Sequence, residues 1–337
     1  MSHQTRNPSI GIIGGGAWGT ALAQVLASDG SGVLLWAHER AVVSAMNNDH
    51  ANPAFLPGIA LAHSITATAV LADLAPCSIL LAVAPAQHLA ALLGAMPGKA
   101  QPIILCSKGM EQSTGKLMCD VAADALWAGP IAVLSGPTFA HEVGAGLPAA
   151  VTLACSDGAV AEQLAARIAR PTLRPYVSTD VIGAEIGGVV KNVLAIACGV
   201  VDGAGLGQNA RAALISRGFA EMIRYGLARG ARMETLAGLA GLGDLVLTCS
   251  STRSRNFSLG RSLGEGRSAA ALLANSATVA EGAYSAATLV KDASARGVDM
   301  PICAAVADLI ASKITASQAI AALLSRPLKR EGWDQIG

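Results

Sequence analysis

Several things are missing from this sequence of 337 residues, and each absence removes a class of function. No C-x-x-C pair occurs among the seven cysteines Cys77, Cys106, Cys119, Cys155, Cys198, Cys249 and Cys303, and most sit inside apolar runs. They read as reduced core thiols rather than as a disulfide framework or a metal centre. Charged residues make up only 14% and the net charge is +1, with no long basic run. Nothing therefore favours a nucleic acid or an anionic membrane as partner, and any anion bound should be small. The most apolar stretches, 79–96 and 186–201, are broken by Pro85, Gln87 and His88 and by Lys191 and Asn192, so no membrane span is expected. Residues 1–8 lack the basic-then-apolar order of a secretory signal, which makes the cytoplasm the expected location.

What remains is apolar material, 52% of the chain, much of it alanine and glycine. At this length two domains are the natural expectation. From Ser9 to about Ser178 short aliphatic runs alternate with Gly/Pro breaks and alanine-rich helical stretches, the pattern of a parallel sheet with crossover helices. Strands are expected at 9–13, 32–37, 78–83, 103–106, 131–135, 149–154 and 173–178. Beyond Asp180 apolar residues recur at helical spacing through 186–201, 213–227, 283–295 and 304–310. The fold class read from this is α/β: a mostly parallel sheet domain over 1–180, followed by an all-α domain over 181–337. Asp180 is placed to cap the first helix of the second half.

The strongest local motif is Gly14-Gly15-Gly16-Ala17-Trp18-Gly19, a G-x-G-x-x-G between the first strand and the first helix. In that setting Gly14 makes the tight turn, Gly16 admits a pyrophosphate to the backbone and Gly19 lets helix and strand pack closely, as in a Rossmann-type dinucleotide site. The helix N-terminus adds amide donors and dipole. Glu39, twenty positions after Gly19, stands where an acid reaches the ribose hydroxyls of NAD, whereas the flanking His38 and Arg40 suit the extra phosphate of NADP. The cofactor is thus NADPH/NADP or NADH/NAD, with the cationic pair leaning towards the former.

Reducing a ketone by hydride leaves an alkoxide, which calls for a proton donor, and a phosphorylated substrate adds the need for a cationic anchor. Lys108 follows a strand in Ser107-Lys108-Gly109, at the sheet edge where α/β folds hold ligands. Lys191 lies in an apolar helix, where lost solvation lowers its pKa towards the range useful for acid–base work, and Gly187 and Gly188 one turn earlier leave room for a ligand. A lysine snorkelling to solvent is the bland alternative. Asp244, alone among apolar and glycine residues, either caps a helix or orients a partner such as Lys191. Ser254, Arg255 and Asn256 offer a hydroxyl, a guanidinium and an amide at a helix start, a phosphate cradle or an ordinary polar loop. From physics alone, Ser135-Gly136-Pro137-Thr138 and Thr278-Val279-Ala280-Glu281 carry weaker signals.

Taken together and in this order, these segments resemble the bacterial NAD(P)H-dependent glycerol-3-phosphate dehydrogenase family over nearly the whole chain. The resemblance implies interconversion of dihydroxyacetone phosphate and sn-glycerol 3-phosphate, with Lys191 as proton donor and acceptor and Lys108 contacting both cofactor and substrate. It implies substrate contacts from Gly136, Thr138, Asp244, Ser254, Arg255 and Asn256. It implies cofactor contacts from the glycine loop with Ala17 and Trp18, and from His38, Ala140, Arg255, Val279 and Glu281. A homodimer and a role in glycerophospholipid synthesis are implied as well. Many members carry arginine where this chain has His38, which leaves cofactor preference open. The alternatives are a related two-domain NAD(P)-dependent dehydrogenase for another small hydroxyacid or sugar phosphate, and a nucleotide-sensing protein without turnover.

Overall fold

In the computed structural model, residues 9–274 and 280–326 are described. Two compact units form, one from residues up to 111 with 116–185, the other from 112–115 with 186 onward. The division falls between Glu185 and Ile186, inside the helix Val181–Gly203.

In the first unit an eight-stranded sheet runs β10-β9-β8-β7-β6-β1-β2-β5. Its strands are β1 (Ile10–Ile13), β2 (Val33–Trp36), β5 (Ile65–Thr68), β6 (Ile79–Ala82), β7 (Ile103–Leu105), β8 (Ile131–Ser135), β9 (Ala149–Cys155) and β10 (Leu173–Ser178). A separate antiparallel pair is made by β3 (Ala51–Asn52) and β4 (Leu56–Ala60). Every pairing in the large sheet is parallel except β8 with β9. The central strands β1 and β6 are buried along their whole length, which is why they are continuous aliphatic runs rather than alternating ones. Helix Ala17–Leu26 covers the sheet beside the first crossover, burying Ala21, Leu22, Val25 and Leu26. The seven expected strands are all present. The three not anticipated, β3, β4 and β5, are short and rich in small or polar residues, which leaves too little periodicity to read.

In the second unit the described residues form helices and no strands. Val181–Gly203 is long and apolar enough to cross a membrane by composition, but nearly all of that apolar window is buried within the fold. Asp180 does cap it, accepting a 2.8 Å bond from the Gly183 amide. Its later half packs against helix Arg255–Gly264 at backbone contact: a Cβ on Gly199 would lie 2.1 Å from the Phe257 carbonyl oxygen, and one on Gly260 would lie 2.0 Å from that of Ile196. Glycine at these positions fixes where residues 255 and 256 sit relative to residues 191 and 192. The cysteines are free, six of them buried. Burial pushes the Cys77 thiol up to about 11 and that of Cys106 up to about 12, so both are inert packing groups.

Candidate active site

The glycine loop is built from β1, its parallel neighbours and the helix that follows. Gly14 adopts φ +127°, a left-handed conformation that a side chain would oppose, and its amide donates to the Trp36 carbonyl at 3.0 Å. A Cβ on Gly19 would meet the Gly14 carbonyl oxygen at 1.9 Å, so the first helical turn can lie against the loop only without one. Gly16, the N-cap of the helix, is different: nothing would lie within 4 Å of its Cβ. That open flank beside unsatisfied first-turn amides is what a pyrophosphate needs. Ala17 and Trp18 begin the helix, with Trp18 half-buried. Asn52 braces the loop from β3, donating to the Gly15 carbonyl at 2.9 Å and to Thr20 Oγ1 at 2.8 Å, while Thr20 Oγ1 donates to the same carbonyl at 3.2 Å. Sequence reasoning missed this brace because thirty-two positions separate Asn52 from Thr20. His38, Glu39 and Arg40 are all exposed just beyond β2, and Glu39 is the N-cap of helix Arg40–Asn48 without capping it through its side chain.

Still within the first unit, Lys108 Nζ donates to the Gly136 carbonyl at 3.1 Å, and Thr138 Oγ1 donates to the same oxygen at 3.3 Å. Gly136 itself takes φ +152°, with the Val151 Cα at 3.0 Å from a Cβ placed there. Two of the expected residues thus converge on the carbonyl of a third at the ends of β7 and β8. Ala140 opens the short helix Ala140–Gly144 that follows.

In the second unit the geometry centres on Lys191. Its Nζ donates to Asp244 Oδ1 at 2.7 Å and to Thr248 Oγ1 at 3.0 Å, and Thr248 in turn donates to Asp244 Oδ1 at 3.2 Å. Lys191 is 7% exposed and Asp244 0%. The apolar surroundings inferred for Lys191 are therefore incomplete: a buried carboxylate favours the ammonium form that burial alone disfavours. Asp244 opens helix Asp244–Cys249 and Thr248 stands one turn later on the same face, the i, i+4 spacing that brings two side chains to one point. Of the two readings of Asp244 the partnership with Lys191 is the one seen; the N-cap of the helix is Gly243, with no side-chain capping bond, and Asp244 is the first helical residue. The i, i+4 relation was the available signal for Thr248.

The glycines before Lys191 need a correction. The space beside Gly187 does not hold a ligand: a Cβ there would lie 2.2 Å from the Ala240 carbonyl oxygen, so Gly187 admits the segment 239–243 that leads to Asp244. Close packing of two backbones, rather than room for substrate, explains that glycine.

Ser254 is the N-cap of helix Arg255–Gly264 and accepts from the Phe257 amide at 3.2 Å. Asn256 is buried, donating from Nδ2 to Asn192 Oδ1 at 3.0 Å and accepting from the Gly282 amide at 2.9 Å. It ties the Lys191 helix to the start of helix Glu281–Ala295, and Gly282 allows this because a Cβ there would lie 2.4 Å from the Asn192 carbonyl oxygen. Arg255, by contrast, is exposed. Partial desolvation holds its guanidinium below its ordinary value, and the Glu281 carboxylate pulls the other way. Arg255 and Glu281, both expected at the cofactor, are therefore electrostatic neighbours; Val279 lies outside the described residues.

Two family models match the chain, one after the other. The N-terminal model of NAD-dependent glycerol-3-phosphate dehydrogenase matches residues 9–161, and the C-terminal model matches residues 180–321. The chain is 63% identical over 322 residues to the glycerol-3-phosphate dehydrogenase [NAD(P)+] of Erythrobacter litoralis, covering 96% of this chain and 97% of that protein. It is 58% identical to that of Caulobacter vibrioides, covering 96% and 98%. Among solved structures, glycerol-3-phosphate dehydrogenase from Coxiella burnetii superposes with a TM-score of 0.88 at 38% identity, covering 94% of this chain and 98% of that one. A D-mandelate dehydrogenase, at 16% identity and a TM-score of 0.61, shares the fold alone.

Proposed function

We propose, from the premise that this chain belongs to the NAD-dependent glycerol-3-phosphate dehydrogenase family, that it interconverts dihydroxyacetone phosphate and sn-glycerol 3-phosphate. The observation that carries the reading is the buried Lys191–Asp244–Thr248 triad, a proton donor held at one place by two acceptors. A nicotinamide dinucleotide, when bound, supplies or accepts the hydride. The residues of the glycine loop fit such a group, since Gly16 leaves its flank open at a helix N-terminus.

On this reading the Lys191 ammonium donates a proton to the C2 oxygen of the triose as negative charge develops there, and takes it back in the oxidative direction. Asp244 and Thr248 are positioning residues: they hold the amine and keep it charged between turnovers. Asn192, through Asn256, fixes the same helix to the start of helix Glu281–Ala295. Arg255 and the helix start at Ser254 grip the phosphate. Lys108, Gly136 and Thr138 are assigned to the substrate by the family resemblance. His38 and Glu281 serve the cofactor, with Ala17, Trp18, Ala140 and Arg255.

The finer readings, a cytoplasmic homodimer that feeds glycerophospholipid synthesis, rest on the resemblance to the family. Light scattering of purified protein tests the dimer. Purified protein mixed with reduced cofactor and dihydroxyacetone phosphate should lose the reduced-nicotinamide absorbance; no loss with either cofactor would overturn the reading. Removing the guanidinium in Arg255→Ala should raise KM for dihydroxyacetone phosphate roughly thirtyfold, the equivalent of about 2 kcal/mol for a charge-assisted contact, and change kcat less.

A further inference from the structure

Outside the set of residues assigned to catalysis, two histidines of the first unit face each other. His63 Nδ1 lies 2.9 Å from His50 Nε2, with the rings edge to face and their centroids 4.0 Å apart. Both are held by backbone structure. His50 follows helix Arg40–Asn48 at φ +46° and its carbonyl accepts the Leu61 amide at 2.8 Å. His63 sits between β4 and β5 in a turn closed by the Ile65 amide on the Ala62 carbonyl, and the Ala62 amide donates to Gln24 Oε1 at 2.8 Å. The pairing of Ala51 with Ala60 locks the two chain segments together.

A left-handed backbone at a non-glycine residue is uncommon and costs free energy, and His50 adopts one. The Nδ1 atom of His50 is enclosed without a hydrogen-bond partner, which leaves Nε2 as its nitrogen at the outside. His63 is exposed. For a metal bound to two imidazoles at roughly 2.05 Å each, angles from square to tetrahedral require a nitrogen–nitrogen separation of about 2.9 to 3.4 Å. The observed separation is that of a hydrogen bond in which one ring donates its N–H to the other, and it falls at the short end of that range; an ion bound there takes the place of the shared proton, with the exposed His63 ring turned so that both lone pairs face it.

We propose that His50 and His63 form a two-imidazole chelate for a borderline divalent metal ion of the Zn2+ class. Imidazole nitrogen selects such ions over the hard cations Mg2+ and Ca2+. No group of three or more metal-ligating side chains occurs among the described residues, so water completes the coordination and the ion exchanges readily. Bound there, it fastens the end of helix Arg40–Asn48 to the turn before β5. This site shares no residue with those assigned to the proposed reaction.

The test is calorimetric titration of the tag-free, chelator-washed full chain with Zn2+, and with Mg2+ as a control, alongside thermal melting. The wild type should take up one Zn2+ per chain at micromolar affinity, with a raised melting temperature, and should ignore Mg2+. His63→Ala, an exposed change, should melt as the wild type does without metal yet bind Zn2+ at least tenfold more weakly. His50→Asn, which keeps a residue tolerant of the left-handed backbone, should show the same loss. No saturable Zn2+ uptake, or uptake that both variants retain, would overturn the proposal.

Discussion

The two units make their sites by different means. In the sheet unit the important atoms belong mostly to the backbone: the open flank of Gly16, the turn at Gly14, and the Gly136 carbonyl on which Lys108 and Thr138 converge. In the helical unit they belong to side chains, the amine of Lys191 held by the carboxylate of Asp244 and the hydroxyl of Thr248. A backbone site is specified by where glycine must stand, and it should be lost when a Cβ is added. A side-chain site is specified by buried charge and hydrogen bonding, and it should be lost when one partner of a pair is removed.

The largest effect is expected on the side-chain side. Asp244→Ala leaves a buried ammonium without its carboxylate, which should cost about 3 to 5 kcal/mol of stability by urea denaturation. A loss under 1 kcal/mol would mean that the pair is not buried as described.

Glu221 sharpens the same contrast, since it is a buried carboxylate without a cationic partner of this kind. It accepts from the Ile302 amide at 2.7 Å and the Cys303 amide at 3.1 Å, capping helix Pro301–Ile310. Burial pushes its carboxyl up to about 7 from the ordinary 4.5, although the two amides pull it down. The folded protein therefore keeps this proton to higher pH than the unfolded chain does. The stability it lends is fully present below pH 4.5 and is lost as pH rises through 7, about 3 kcal/mol in all. Glu185, also buried and up to about 7, adds a slope of the same sign from the sheet unit. Glu221→Gln should flatten the stability–pH curve over that window; an unchanged slope would show that Glu221 does not carry it.

The smallest change separates two glycines of one loop. Gly19→Ala forces a Cβ onto the Gly14 carbonyl and should cost about 1 to 3 kcal/mol. Gly16→Ala meets nothing in the protein, so its melting temperature should stay put while cofactor affinity falls at least tenfold. Equal cofactor binding by wild type and Gly16→Ala would break the comparison.

Much of this was legible before any coordinates. Aliphatic runs bounded by glycine and proline located the central strands because those strands are buried on both faces. The glycine loop declared itself through its position between a strand and a helix. Lys191 and Asp244 were visible as charges where neighbours were apolar, and the structure explains why both are there: each is the other's partner. Asn192 and Asn52 were not legible as site residues, since an amide gains meaning only from what lies across from it in the fold, and Thr248 offered no more than its i, i+4 relation to Asp244. Gly187 was misread for the same reason, because a glycine that admits a ligand and one that admits a backbone have the same sequence signature.

The central claim is that the amine of Lys191 moves the proton. Turnover of Lys191→Ala with dihydroxyacetone phosphate, measured beside its cofactor affinity by quenching of tryptophan fluorescence, tests it most directly. The account predicts kcat at least a thousandfold lower, with cofactor affinity within threefold of the wild type. A folded variant that turns over at near-normal rate would contradict it.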